Sequence, residues 1–136
     1  MFSWQKLDTF SFNSVEQAQE RCHYWQCLLR LADWEIIVSI CRADELPDAH
    51  AEITYDSSKK QAFLRLLHQD DWDPEKEFVL NQEKGLLHEL VHLHLLVFDK
   101  TIEEDTTGLL HDALEVAVDS IARGMLQSSI SVVDLP

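Results

Sequence analysis

The chain has 136 residues, 46% hydrophobic and 26% charged, the balance of one globular domain spanning 1–136 rather than of a disordered, collagenous or membrane protein. Twenty-five Asp and Glu against eleven Lys and Arg give a formal charge of -14, which repels a phosphate backbone and argues against nucleic acid as a partner. No apolar stretch reaches the roughly 18 residues that cross a bilayer, and the first residues have neither a basic n-region nor an apolar h-region, so no membrane partner and a cytoplasmic location are expected.

From 14 to 32 the apolar residues Val15, Ala18, Cys22, Trp25, Leu28, Leu29 and Ala32 recur at helical spacing, and Ser14 followed by Gln17 resembles a capping box. Residues 34–41 (WEIIVSIC) are short and β-branched, 51–55 alternate apolar with polar, and 61–68 (QAFLRLLH) form a further apolar run behind the turn-like Asp56-Ser57-Ser58. These predict three strands. Residues 70–74 read as a loop in which Asp73 caps and Pro74 takes a first helical position; 75–80 are a turn or a short helix. A helix is placed at 81–98, followed by a polar loop at 99–107.

Thr107 is a cap for a last helix with an apolar stripe of Leu110, Leu114, Ala117, Ile121 and Met125, and 127–136 read as a tail with an apolar cluster at 130–133. The order helix, about three strands, helix, helix predicts an α+β fold. The three cysteines, Cys22, Cys27 and Cys41, contain no C-x-x-C pair, which supports neither a disulfide framework nor a thiolate metal site; they are expected to be buried thiols. Trp4, Trp25, Trp34 and Trp72 are read as core or rim aromatics.

Inside the 81–98 helix lies His88-Glu89-Leu90-Val91-His92, an H-E-x-x-H. Spacing i, i+4 sets both imidazoles on one helical face, able to converge on one ion, with Glu89 beside them as a base for a water molecule. Zinc suits such neutral imidazole ligands and keeps one position open for catalysis, so one zinc ion per chain and a third protein ligand are expected. The competing reading is two helix-face histidines bonded to their neighbours. On the last helix His111, Glu115 and Asp119 repeat at i, i+4, i+8. If the two helices pack together, Glu115 is the natural third ligand and Asp119 can accept the free N–H of a ligating imidazole. A solvated acidic face is the alternative. His111 stands open between an electrophilic helper, a competing third ligand and a plain helix-start residue. His94, about 200° round from His92, points away from the site, and His23, His50 and His68 are isolated.

The run H-E-L-V-H, then E-V-A-V-D at 115–119, resembles the gluzincin clan of zinc metallopeptidases, whose following helix completes the site within an E-x-x-x-D pattern like that of thermolysin-type enzymes. The similarity extends over 83–123 and, in size and element order, resembles minimal single-domain gluzincins and small metallopeptidase-like proteins of phages and prophages. It implies a zincin-like fold, with zinc on His88, His92 and Glu115, Glu89 as general base and acid, and Asp119 behind the ligands. It also implies a peptide or protein substrate. By the same analogy the 61–68 strand is the edge to which an extended peptide adds; from the sequence itself an internal strand fits equally well. The C-terminal subdomain with which larger relatives stabilise the oxyanion has no counterpart here, so that role is unassigned. Two functions therefore compete, a zinc peptidase and a metal-stabilised binding or regulatory module without turnover, with a metal-free helical domain as a third. An intact Glu89 favours the first, because a non-catalytic zinc site has no need of a carboxylate base there.

Overall fold

Ser14 opens the first helix in the computed structural model, which describes residues 8–75 and 79–133. Its hydroxyl accepts from the Gln17 N–H at 3.1 Å, while Gln17 Oε1 accepts from the Asn13 N–H at 2.7 Å, so the reciprocal bond reaches one residue further back than in a capping box. Helix α1 (Val15–Leu28) buries Ala18, Cys22, Trp25 and Gln26. It stops before the expected residue 32 because Arg30 adopts a left-handed φ of 58° and the Leu31 N–H turns back to Gln26 O at 2.7 Å.

Strands β1 (Glu35–Cys41), β2 (Ala51–Asp56) and β3 (Gln61–Leu67) form one mixed sheet in the order β1-β3-β2. A tight turn joins β2 to β3, with the Asp56 carboxylate accepting from Ser58 and Lys59 N–H groups, and makes that pair antiparallel; β1 then runs parallel to the other side of β3. The edge that analogy assigned to 61–68 therefore falls elsewhere: β3 is the central strand, both its sides paired, and β1 and β2 are the edges. On the inner face Ile36, Val38, Ala62, Leu64 and Leu66 are buried, while Ile37 and Phe63 stand in register and exposed on the outer face.

Helix α2 (Gln82–His94) lies on the inner face beside α1, its start capped by the Asn81 side chain. Gly85 makes the close approach: a Cβ there would sit 3.5 Å from Ala51 Cβ on β2 and 3.9 Å from Leu66 Cδ2 on β3. The helix ends at His94, four residues earlier than expected, and 3₁₀ geometry carries Leu96–Phe98 into α3 (Asp99–Glu104). The expected polar loop 99–107 thus holds a short helix, none of whose residues is buried. At Asp73 the carboxylate accepts from the Glu75 N–H in a turn rather than starting a helix; residues 76–78 of the expected 75–80 element lie outside the described residues.

The last helix, α4 (Leu109–Val133), packs against α2. Gly108, at φ 76°, turns the chain into it, and Thr107 Oγ1 and Asp105 Oδ2 accept from the Leu109 and Leu110 N–H groups. It absorbs residues 127–133 of the expected tail. Its buried line is also not the expected stripe: Val118, Ala122 and Leu126 are buried, whereas Leu110 and Ile121 are 44% and 46% exposed. The cause is the polar ridge, since turning Glu115 and Asp119 toward α2 rotates the most apolar line outward. Ile121 and Met125 line a groove with Tyr24 and Leu28 of α1 instead. No helix among the described residues is long and apolar enough to cross a membrane.

A buried carboxylate ties α1 to α2. Glu83 Oε1 accepts from Trp25 Nε1 at 2.9 Å and pairs with Arg21 Nη2 at 2.6 Å. Trp25 is thus a core residue with its N–H satisfied; Trp34 meets Tyr55 edge-on, Trp72 is half-buried, and Trp4 lies outside the described residues. Glu83→Ala leaves the indole N–H buried without an acceptor and Arg21 without its partner, so urea denaturation is expected to show a loss of about 2–4 kcal/mol. An unchanged midpoint would mean that this carboxylate contributes nothing to the α1–α2 junction. Of the cysteines, Cys22 and Cys41 are buried as expected and Cys27 is exposed, since it falls on the outer side of α1. Burial pushes the Cys22 thiol up to about 12, which keeps it protonated and inert.

Candidate metal centre

Three ligand-type atoms meet where α2 and α4 face each other. His88 and His92, one turn apart on α2, bring their Nε2 atoms to 3.2 Å. From α4, Glu115 sets Oε2 at 3.1 Å from His88 Nε2 and Oε1 at 3.0 Å from His92 Nε2. With bonds of about 2.0–2.1 Å, two ligands of a tetrahedral zinc site stand about 3.3 Å apart, so this triangle is close to the size such an ion needs. His88, His92 and Glu115 form a group able to hold a metal ion. Their side chains are 17%, 20% and 39% exposed, which leaves one side of the triangle open to solvent.

The electrostatics suit the chemistry of the donors. Burial lowers the His92 pKa and His88 adds to that, outweighing the pull of Glu115 in the other direction. A neutral imidazole is the form that ligates. Glu89 is buried, 9% exposed, and its carboxyl is pushed up to about 8, chiefly by burial and then by the charges of Glu115 on α4 and Glu52 on β2. A nearby cation would reverse part of this shift.

Asp119 takes the place expected behind the ligands, but its partners are different. Its Oδ1 is 3.6 Å from His88 Nδ1, too long for a hydrogen bond, while Lys84 Nζ lies 2.5 Å from the same oxygen and Arg123 Nε donates to Oδ2 at 2.9 Å. Burial opposes the charge on Asp119, yet these two cations hold its carboxyl below the usual carboxylate range. Lys84 precedes His88 by one turn and Arg123 follows Asp119 by one turn. The i, i+4 spacing was the available signal for both.

His111 is not brought into the group. It lies one turn before Glu115 on α4, and the ligand atoms that come within 4.8 Å of one another belong to His88, His92 and Glu115 without it. Its side chain is 63% exposed, with Nδ1 3.6 Å from Asp112 Oδ1, and it exerts the weakest of the influences on His92. His94 points away from the three ligands, as its spacing predicts, and its Nε2 meets Leu29 O at 2.5 Å.

The fold and site together define an α+β protein with a His, His, Glu group presented by two packed helices. Comparison with protein-family models, with curated proteins and with solved structures gives no match.

Proposed function

We propose that the chain is a zinc-dependent metallopeptidase of the gluzincin kind, with a zincin-like fold. The observation that carries this reading is the convergence of His88, His92 and Glu115 from α2 and α4, with Glu89, the residue after His88, buried and within the electrostatic influence of Glu115. His88 and His92 hold the ion through Nε2 and Glu115 through a carboxylate oxygen. Bound zinc supplies a Lewis acid for the scissile carbonyl and makes an attacking water more acidic. With an ion bound to lower its raised pKa, Glu89 would take one proton of the attacking water on a carboxylate oxygen as the water oxygen bonds to the carbonyl carbon, and would give it to the amine nitrogen as the C–N bond breaks. The substrate is a peptide or protein segment in extended form. Edge strand β2, against which α2 packs through Gly85, offers the backbone groups not used by β3, and a peptide adds there as a further strand.

The test is hydrolysis of an unbiased peptide library by the purified protein. Cleavage is expected to stop on treatment with a zinc chelator and to return when zinc is restored. Cleavage indifferent to chelation would remove the metallopeptidase reading.

A further inference from the structure

Lys84 is a cation placed where cations are expensive. Its side chain is only 11% exposed, and lysine is rarely so buried unless paired. It pairs with Asp119, which already has Arg123 on its other oxygen. The two helices run in opposite directions and present facing rows: Lys84, His88 and His92 on α2 against Asp119 and Glu115 on α4. Along the rows His92 meets Glu115, His88 meets Glu115 and comes to 3.6 Å from Asp119, and Lys84 meets Asp119. The ammonium thus sits at the closed end of the same ladder whose other rungs are metal ligands.

We propose that Lys84 is a positioning residue of the metal centre, which fixes the Asp119 carboxylate beside His88 Nδ1 so that His88 presents its Nε2 lone pair to the ion. The inference rests on the metal-site reading above. Arg123 holds Oδ2, and its side chain is 49% exposed, so it pins the carboxylate only loosely from the solvent side. Lys84 holds Oδ1, the oxygen nearer His88, from the protein side. An oxygen with two acceptor directions can accept from both Lys84 and the imidazole N–H, and a carboxylate fixed there favours the proton on Nδ1 and leaves Nε2 free to ligate. Without the ammonium, Asp119 is free to turn toward Arg123 and water. His88 then has no carboxylate held 3.6 Å from Nδ1, near enough to close to a hydrogen bond when the ion binds and so set its tautomer.

The experiment measures zinc affinity by competition with a chromophoric chelator for wild type, Lys84→Met, Lys84→Arg, Asp119→Ala and the double variant Lys84→Met with Asp119→Ala. Removing an outer partner of a metal ligand typically costs about 10- to 100-fold in affinity. Lys84→Met is expected near the lower end, about tenfold, and Lys84→Arg to retain most of the wild-type affinity. The double variant should bind no more weakly than Asp119→Ala alone, because Lys84 acts through Asp119. A merely structural lysine would give additive losses. Circular dichroism of each zinc-free variant confirms folding, and Lys84→Gln replaces Lys84→Met if the latter does not fold. Wild-type affinity in the neutral variant, or additive losses in the double variant, overturns the inference while leaving the metal site intact. A wild-type protein that takes up no zinc overturns the metal-site reading itself.

Discussion

Glu115→Gln is expected to lose zinc almost completely, whereas His111→Ala should keep it. The carboxylate of Glu115 lies within 3.1 Å of both imidazole Nε2 atoms, and a neutral amide in its place is a poor ligand that also leaves the two nitrogens without a counter-charge. The loss should exceed the roughly 10- to 100-fold that removal of an outer partner costs, so Asp119→Ala falls between the two variants. Elemental analysis of protein purified without added metal should find one zinc per chain in wild type and in His111→Ala. Ligation requires neutral imidazole, so affinity falls as pH drops; the lowered pKa of His92 means that protons compete for it less than for an ordinary histidine. Zinc retained by Glu115→Gln but lost from His111→Ala would identify the wrong residue as third ligand. A His88→Ala protein with unchanged zinc content would remove the site.

The parts of this arrangement that were legible in the sequence are those that repeat locally. The spacing of Ala18, Cys22 and Trp25 reveals α1, the H-E-x-x-H fixes the face of α2, and the i, i+4 step from Glu115 to Asp119 puts both on one side of α4. What was hidden depends on partners distant in the chain. The central place of β3 is decided by β1 returning to pair with it in parallel, which no period within 61–68 encodes. Helix α3 buries nothing, so it carries no apolar rhythm to read. The run Ser128, Ser129, Ile130, Ser131, Val132, Val133 has low helix propensity and reads as a tail, yet adding turns to an existing helix avoids the cost of nucleation. The stripe on α4 misleads because of the polar ridge beside it. Leu110 and Ile121 form its apolar line, but the helix turns its carboxylates inward to meet the histidines, so local pattern and tertiary arrangement part company at that contact.

Glu89→Gln should separate catalysis from metal binding, because the side chain's proposed task is proton transfer and not coordination. The amide keeps the size of the carboxyl and its capacity to hydrogen-bond, and the group able to hold the ion consists of His88, His92 and Glu115 without it. Zinc content should therefore equal that of wild type. Hydrolysis should fall by the roughly 10²- to 10⁴-fold that general acid–base catalysis contributes. Folding should not suffer either. Burial raises the Glu89 pKa to about 8, so in the zinc-free protein this group favours folding fully only below its ordinary value near 4.5, and that contribution is lost as pH rises through 8. Gln cannot ionise, and the zinc-free variant should lose less stability than wild type between those pH values. The comparison is made on a peptide library at matched zinc content. Turnover that is chelator-sensitive in wild type and lost in the variant supports the peptidase. Equal cleavage by both proteins points to a contaminating protease, and no cleavage by either, with zinc bound in both, turns the assignment to a metal-stabilised binding module in which the buried Glu89 carboxyl has no proton to move.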